Sequence, residues 1–341
     1  ELGEGRSQLV WMAHQLIVND CSWKILLNDF STVYNQLSCG EMAWLIPTAV
    51  SFKEWAERIR QHLASEVVQH ELEAWLTLTE RNGHLSLFEQ SSPVECDQIV
   101  SVSLSEEETT ALLEEVPSTY RMSLTETVMT ALAKVLSAWT GKHQLLVEME
   151  CEAREELFAD MDLSRTVGCF TAVFPLLLDL SRVEGYKNLL MSVKKQLRSV
   201  QSCSIVYDGL RFQTESDATK VLQSISQPQV AFRNLGNLDW QLPTSSPIAL
   251  KQPFHGPSRN GSYTKHLLDL TVFVSQGQFQ VLWRYAKETF EVQSIERLAN
   301  HFIEELRAII AHCQSPDAGA YSPNDFPYED FKVYELETLL S

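Results

Sequence analysis

One stretch constrains the fold more than any other. Between Ser123 and Glu150 a capping box, an amphipathic helix, a glycine stop and an apolar strand follow one another. In Ser123-Leu124-Thr125-Glu126 a hydroxyl stands three residues before a carboxylate, so each can satisfy an orphan amide of a first helical turn. Leu124, Val128, Leu132, Val135 and Trp139 then recur along one helical face. Gly141 sits where a helix C-cap belongs, and Gln144–Glu150 reads as a buried strand ending in acid. A helix that hands over so quickly to an apolar strand belongs to a layered protein, with helices packed on a sheet.

The rest of the chain repeats those parts without a regular βαβ beat. Leu9-Val10-Trp11-Met12-Ala13 reads as a short strand ending at His14. Asn19-Asp20 reads as a turn, and Ser22 as the cap of a helix carrying Trp23, Leu26, Leu27, Phe30, Val33, Tyr34 and Leu37. Ser51-Phe52-Lys53-Glu54 is another capping box, and its helix, with Trp55, Ile59, Leu63, Val67 and Trp75, is predicted to run to about Leu76. The polar stretch from Gly83 to Cys96, broken by Pro93, reads as a crossover between lobes. Strands are predicted at Gln98–Ser103 and Ala172–Leu180, and a helix at Tyr186–Val200. Leu267–Ser275 and Gln278–Tyr285 alternate around Gln276-Gly277 as a hairpin, and Leu298, Phe302, Leu306 and Ile309 stripe a helix over Ser294–His312. Ser315–Pro327, rich in Pro, Ser, Asp and Gly, reads as a linker. The fold class is therefore mixed α/β (α+β) in two layers. At 341 residues the chain has room for about two lobes of ~150 residues each.

Composition removes several functions. With 44% hydrophobic residues the chain can bury a core. Its 27 Lys+Arg against 45 Asp+Glu, net −18, argue against nucleic acid or an anionic membrane as partner, since both demand clustered cations. No apolar run reaches the ~18 residues of a membrane span. The start, Glu1-Leu2-Gly3-Glu4-Gly5, has neither a basic region nor an apolar core, so no signal peptide is expected and the chain reads as a piece of something longer. Seven scattered cysteines without a C-x-x-C argue for reduced thiols in the cytoplasm, not for a disulfide framework or a zinc site.

The informative stretch is His14-Gln15-Leu16-Ile17-Val18-Asn19-Asp20-Cys21-Ser22-Trp23. A strand ending in His, a tight turn and a capped helix can present an imidazole at the mouth of a cleft. On its residues alone His14 reads as structural. The stretch resembles the HHxxxDG-x-S-W signature of the condensation superfamily of nonribosomal peptide synthetases, and within it the epimerization branch. Further segments match in order. Ser51-Phe52-Lys53-Glu54-Trp55-Ala56 resembles the branch's SFKEWA segment, and Glu150-Cys151-Glu152-Ala153-Arg154-Glu155 stands at EGHGRE. Ser164-Arg165-Thr166-Val167-Gly168-Cys169-Phe170-Thr171 resembles SRTVGWFT, and Phe232-Arg233-Asn234-Leu235-Gly236 stands at FNYLG. Tyr321-Ser322-Pro323-Asn324-Asp325-Phe326-Pro327 resembles the exit linker.

The resemblance implies a chloramphenicol-acetyltransferase-like, two-lobed condensation fold with an incomplete N-terminal lobe. Residues 1–95 would be the remainder of that lobe, 96–314 the C-terminal lobe and 315–341 the exit linker. It implies a tunnel for the phosphopantetheine arm of a peptidyl carrier protein. In that branch the second His and the Glu of EGHGRE flank the α-carbon of a tethered aminoacyl or peptidyl thioester. Inverting a stereocentre needs a proton acceptor and a donor on opposite faces. The catalytic candidates are thus Glu150, His14 and Gln15. Asn19, Asp20, Ser22, Trp23, Arg154, Arg165, Gly168, Arg233 and Asn234 are the motif and structural positions.

The departures fall on the chemistry. Gln15 replaces the second His, and a carboxamide cannot accept the α-proton. Asn19 replaces an Asp, Asp20 a Gly, and Cys151-Glu152-Ala153 a Gly-His-Gly. Arg233 and Asn234 replace Asn and Tyr, and Cys169 a Trp. Ser22, Trp23, Arg154, Arg165, Thr166, Gly168, Leu235 and Gly236 persist. His255, His266 and His301 have no metal-like spacing and read as incidental, and no metal is expected. Lys194, Lys195 and Arg198 form a basic helix face that could meet an acidic carrier, although a solvated face is the simpler reading. Two functions follow. One is a pseudo-enzyme platform for the carrier protein, neighbouring synthetase domains or a recruited tailoring enzyme, as X-type domains recruit haem monooxygenases and interface domains recruit hydroxylases. The other is a divergent epimerase, or other acid/base enzyme, working on the tethered thioester through Glu150. Neither implies a cofactor bound by the domain itself.

Overall fold

A computed structural model describes residues 9–14, 16–65, 68, 86–88, 94–154, 158, 160–201, 204–212, 220, 222, 227–239, 263–264, 266–316 and 318–319. In chain order the helices are α1 (Asp20–Ser38), α2 (Phe52–Leu63), α3 (Glu106–Tyr120), α4 (Leu124–Thr140), α5 (Tyr186–Gln201), α6 (Ser204–Phe212) and α7 (Val292–Cys313). The strands are β1 (Val94–Ser103), β2 (Gln144–Glu152), β3 (Thr171–Asp179), β4 (Val230–Asn237), β5 (Tyr263–Thr264), β6 (Leu268–Ser275) and β7 (Gln278–Ala286). Among the described residues they form one mixed sheet of order β3-β2-β4-β6-β7-β1-β5. β2, β4 and β6 run parallel, while β6–β7, β7–β1 and β1–β5 are antiparallel. The expected mixed α/β class is therefore the observed one.

Two compact units share the chain. One comprises Glu1–His62, Glu152–Thr171 and Trp240–Gln252, the other Leu63–Cys151, Ala172–Asp239 and Pro253–Ser341. The second unit holds the sheet and its helical layer. Ser123 and Glu126 close the anticipated capping box, and Gly141 takes the left-handed cap at φ 70°. Between them α4 buries Val128, Met129, Leu132, Val135 and Leu136. Helix α7 lays Leu298, Phe302, Leu306 and Ile309 into the same core, with Phe302 edge-on to Trp283 at 5.5 Å. The first unit is smaller, and its aromatic core is Phe52 and Trp55 of α2 against Phe170, with ring centroids 4.7–5.3 Å apart.

The expected elements shift in places. Leu9–Ala13 pairs with no strand among the described residues, so an apolar run there did not make a ladder. Helix α1 starts two residues before Ser22, because Asn19 is the cap and accepts from Ser22 N at 3.0 Å. α2 is continuous to Leu63, and the anticipated extension to Leu76 lies, apart from Ser65, Val68 and the turn at Ala64, outside the described residues. α3, with its own capping box at Ser105 and Glu108, was not anticipated, and neither were α6 and β4. Tyr321–Pro327 lies outside the described residues.

Candidate functional site

In the first unit Asn19 and Ser22 of the His14–Trp23 stretch converge on a buried guanidinium. The chain turns after His14, whose carbonyl accepts from Ile17 N (3.0 Å) and Val18 N (3.2 Å), while its exposed ring accepts from Leu16 N through Nδ1 (3.1 Å). Gln15 lies outside the described residues. Asn19, 8% exposed, caps α1, and Asp20 follows in the first turn, where a carboxylate suits the helix dipole. Ser22 Oγ lies 2.7 Å from Asn19 Oδ1 and 2.8 Å from Gly168 O, and accepts from Gly168 N (3.0 Å). Trp23 meets Trp11 edge-on at 5.6 Å.

Arg154, 6% exposed, ties this turn to the segment around Gly168. Its Nη1 donates to Leu163 O (3.0 Å) and Thr166 O, its Nη2 to Ser22 Oγ (3.1 Å) and Asn19 Oδ1 (3.4 Å). The guanidinium stands 4.1 Å from the Phe170 ring centre. Glu152 Oε1 is 3.5 Å from Arg154 Nε, and Glu152 Oε2 accepts from Asn19 Nδ2 at 2.6 Å. Burial pushes the Glu152 carboxyl above its ordinary value, against the opposing pull of Arg154, Cys21 and Asn19. The Cys21 thiol is pushed up as well, first by burial and then by Glu152. Arg165 holds Asp29 (2.6 Å) and Ile46 O (3.3 Å). Gly168 is packed so closely that a Cβ there would lie 2.1 Å from the Phe52 ring.

In the second unit the parallel ladder assembles a different group of charges. Glu148 and Glu150 of β2 stand in register with Ala231 and Arg233 of β4, and these with Asp269 and Thr271 of β6. Strand alternation puts all of these side chains on one face of the sheet. Arg233 Nε donates to Glu150 Oε2 at 2.6 Å, with side chains 39% and 21% exposed. Beside them Glu148 Oε1 lies 3.1 Å from His266 Nε2, both groups buried. Glu148, Glu150, Ala231, Phe232, Arg233, His266 and Asp269 line a small cavity of about 50 Å³. Asn234 turns to Thr125 Oγ1 (3.0 Å) and caps Gly236 N through its Oδ1 (2.9 Å), at the left-handed Gly236.

His266, read from the sequence as incidental, belongs to this cavity. The available signal was its place immediately before a strand, together with the Glu148/Glu150 alternation, but register across parallel strands is not written in local spacing. The basic face of α5 is also corrected. Lys194 is 1% exposed and donates to Tyr120 O (2.7 Å), and Arg198 is held by Glu126 (2.5 Å) and Arg121 O (2.7 Å), so only part of that face meets solvent. Among the described residues no group of His, Cys, Asp and Glu could hold a metal ion, and no helix is long and apolar enough to cross a membrane. Cys21, Cys39, Cys151, Cys169 and Cys313 are free thiols.

The sheet and its helical layer have counterparts among known proteins. The family model of the condensation domain matches residues 1–331, and the chain belongs to that family, the condensation domains of nonribosomal peptide synthetases. It is 36% identical over 330 residues to a linear gramicidin synthase protein of Brevibacillus parabrevis, covering 95% of this chain and 4% of the synthase. It is 33% identical over 347 residues to chondramide synthase cmdD of Chondromyces crocatus, covering 99% of this chain and 9% of that protein. The chain thus spans a small fraction of the synthases it matches. Among solved structures it resembles the epimerization domain from the third module of tyrocidine synthetase B, with TM-score 0.75 and 25% identity, covering 88% of this chain and 68% of that one. The X-domain solved with OxyB from teicoplanin biosynthesis shares the fold at TM-score 0.58 and 18% identity, covering 88% and 66%.

Proposed function

We propose that this chain is an epimerization-like domain that has lost α-proton chemistry and serves a nonribosomal peptide synthetase as a docking platform. The observation that carries the reading is the 2.6 Å contact between Arg233 and Glu150. For Glu150 to take a proton it must give up a charge-assisted hydrogen bond to a cation that never deprotonates. The other acid/base position of the motif is Gln15, whose amide is no base. The sheet that carries Glu150 and the capped turn after His14 are both intact, so the loss is chemical and local. The platform's partners are a peptidyl carrier protein, whose phosphopantetheine arm is the substrate tether, and either neighbouring synthetase domains or a tailoring enzyme. The X-domain solved with OxyB offers an analogy of fold for the last of these. The reading places the protein in the cytoplasm and gives it no cofactor of its own.

The second reading, an acid/base enzyme acting on a carrier-bound thioester through Glu150, is favoured by the cavity that Glu150 lines with Glu148 and His266. Proton exchange decides between them. The carrier protein of the same synthetase is loaded with its aminoacyl thioester and incubated with the domain in deuterated water. Deuterium uptake at the domain-free rate is expected, unchanged in Glu150→Gln. Uptake with inversion that Glu150→Gln abolishes would overturn the platform in favour of the enzyme.

A further inference from the structure

Two departures from the signature that look independent in the sequence meet in space. The HHxxxDG signature that this stretch resembles has a carboxylate where Asn19 stands, and the EGHGRE signature has a histidine where Glu152 stands; this chain carries an amide at 19 and a carboxylate at 152. The two side chains are 2.6 Å apart, Asn19 Nδ2 donating to Glu152 Oε2. We propose that they are one exchange: Glu152 is the positioning residue of the His14–Asn19 turn, taking the place of a carboxylate at position 19, with Asn19 as its donor. The inference rests on these contacts and not on the docking reading, so it stands or falls separately.

The geometry shows why one carboxylate fits and two do not. Asn19 faces three ways at once. Its Oδ1 accepts from Ser22 N at the start of α1, stands 3.4 Å from Arg154 Nη2, and leaves Nδ2 to reach Glu152. Arg154 donates through Nη1 to Leu163 O and Thr166 O and through Nη2 to Ser22 Oγ, while its buried Nε, 3.5 Å from Glu152 Oε1, makes no hydrogen bond; it is the cation shared by both positions. Glu152 faces Arg154 from just beyond the end of β2, and Asn19 and Cys21 from the start of α1, with Lys24 one turn on acting upon Cys21. Burial costs this carboxyl more than these neighbours return, since its proton is held above the ordinary range. A second carboxylate in the same place would meet the same burial and a like charge at hydrogen-bond distance, with Arg154 already shared.

Local rules alone point the other way, which makes the idea testable. Asp is as good an N-cap as Asn, so Asn19→Asp keeps the cap of α1 and, without Glu152, should be harmless. Thermal midpoints of the chain and of Asn19→Asp, Glu152→Gln and the double variant are compared at pH 7.5 and pH 5. The His14 ring signals are followed in parallel by NMR. Asn19→Asp is expected to lower the midpoint at pH 7.5 by roughly 3–6 °C and to move the His14 signals. The loss shrinks toward acid, since burial and a like charge both favour the protonated form of one of the two carboxyls. In the double variant the pair is mirrored, amide at 152 donating to carboxylate at 19, and both midpoint and His14 signals return to those of the parent. A neutral Asn19→Asp, or a double variant no better than the single one, overturns the exchange. If Asn19→Asp does not fold, folding of the double variant upholds the proposal, and failure of both refutes it.

Discussion

The two charge groups depart from the same signature with opposite results. Around Arg154 in the first unit, the altered residues Asn19 and Glu152 bond to each other and leave both terminal nitrogens of the guanidinium donating to Leu163, Thr166 and Ser22. On the sheet face of the second unit, the altered residue Arg233 bonds to an unaltered one, Glu150, and occupies the group that chemistry would need. The first contact joins a helix cap to the end of a strand; the second pairs a cation with an anion on one face of the sheet. Under the docking role proposed above, the first would be kept for shape and the second would leave Glu150 without base chemistry.

The comparison breaks most visibly at Arg154. Arg154→Ala strips donors from the carbonyls of the buried Leu163 and Thr166 and leaves Glu152, its side chain 35% exposed, without its cation, and should cost ~2–4 kcal/mol, mostly from the two carbonyls left without a donor. Urea unfolding checks it, and a loss below ~1 kcal/mol would show that water replaces the guanidinium there. Next comes Gly168→Ala. The new methyl would overlap the Phe52 ring, itself held by Trp55 and Phe170, so the aromatic cluster must move as a block. A cost of ~1–3 kcal/mol is expected, the range for overpacking a filled core.

How much of this was legible beforehand depends on the range of the interaction. The α4 box, its Gly141 stop and the α7 stripe were readable because capping and helical periodicity act within a few residues. The start of α1 lies three residues before the one that Ser22 suggests, since Asn19 and Ser22 are both good caps, and the choice between them is made by Arg154 and Gly168, far along the chain. His266 was passed over because its meaning lies in the β2–β4–β6 register, which puts Glu148 beside it. The motif order located Glu150 and Arg233 in their segments, yet only the parallel ladder places Arg233 directly opposite Glu150. Leu9–Ala13 is the reverse case: apolar composition suggests a strand, but a strand needs a partner edge, and none pairs with it among the described residues.

A smaller effect on stability, though a larger one on chemistry, is expected at the sheet face. Arg233→Asn removes a half-exposed ion pair and should cost no more than about 1 kcal/mol. It also returns the Glu150 carboxylate to the cavity as a base without a second acid to complete inversion. The α-proton of a carrier-bound thioester should then exchange with deuterated water roughly tenfold or more above the parent domain, with configuration mostly retained. Adding Glu150→Gln should return the rate to background. If Arg233→Asn exchanges no faster than the parent, Arg233 is not what keeps Glu150 idle, and the contrast between the two regions loses its second half.

The smallest effect is the pH dependence contributed by Glu152. Its carboxyl is raised in the folded chain, by burial first, so the folded state holds this proton to higher pH than the unfolded one does. Between the ordinary carboxylate value and the raised one, the folded state binds more protons, and stability must fall as pH rises. The contribution is complete below the unfolded value and is lost as pH climbs through the folded one. In Glu152→Gln the group no longer titrates while Asn19 keeps an oxygen to donate to, so that descending segment should disappear from the midpoint-against-pH curve. The two curves should lie close together in acid and separate upward through that window, with the variant the less sensitive. Curves that stay parallel would mean that Arg154 offsets the burial of Glu152 after all, and that the first region tolerates its transplanted charge at no cost.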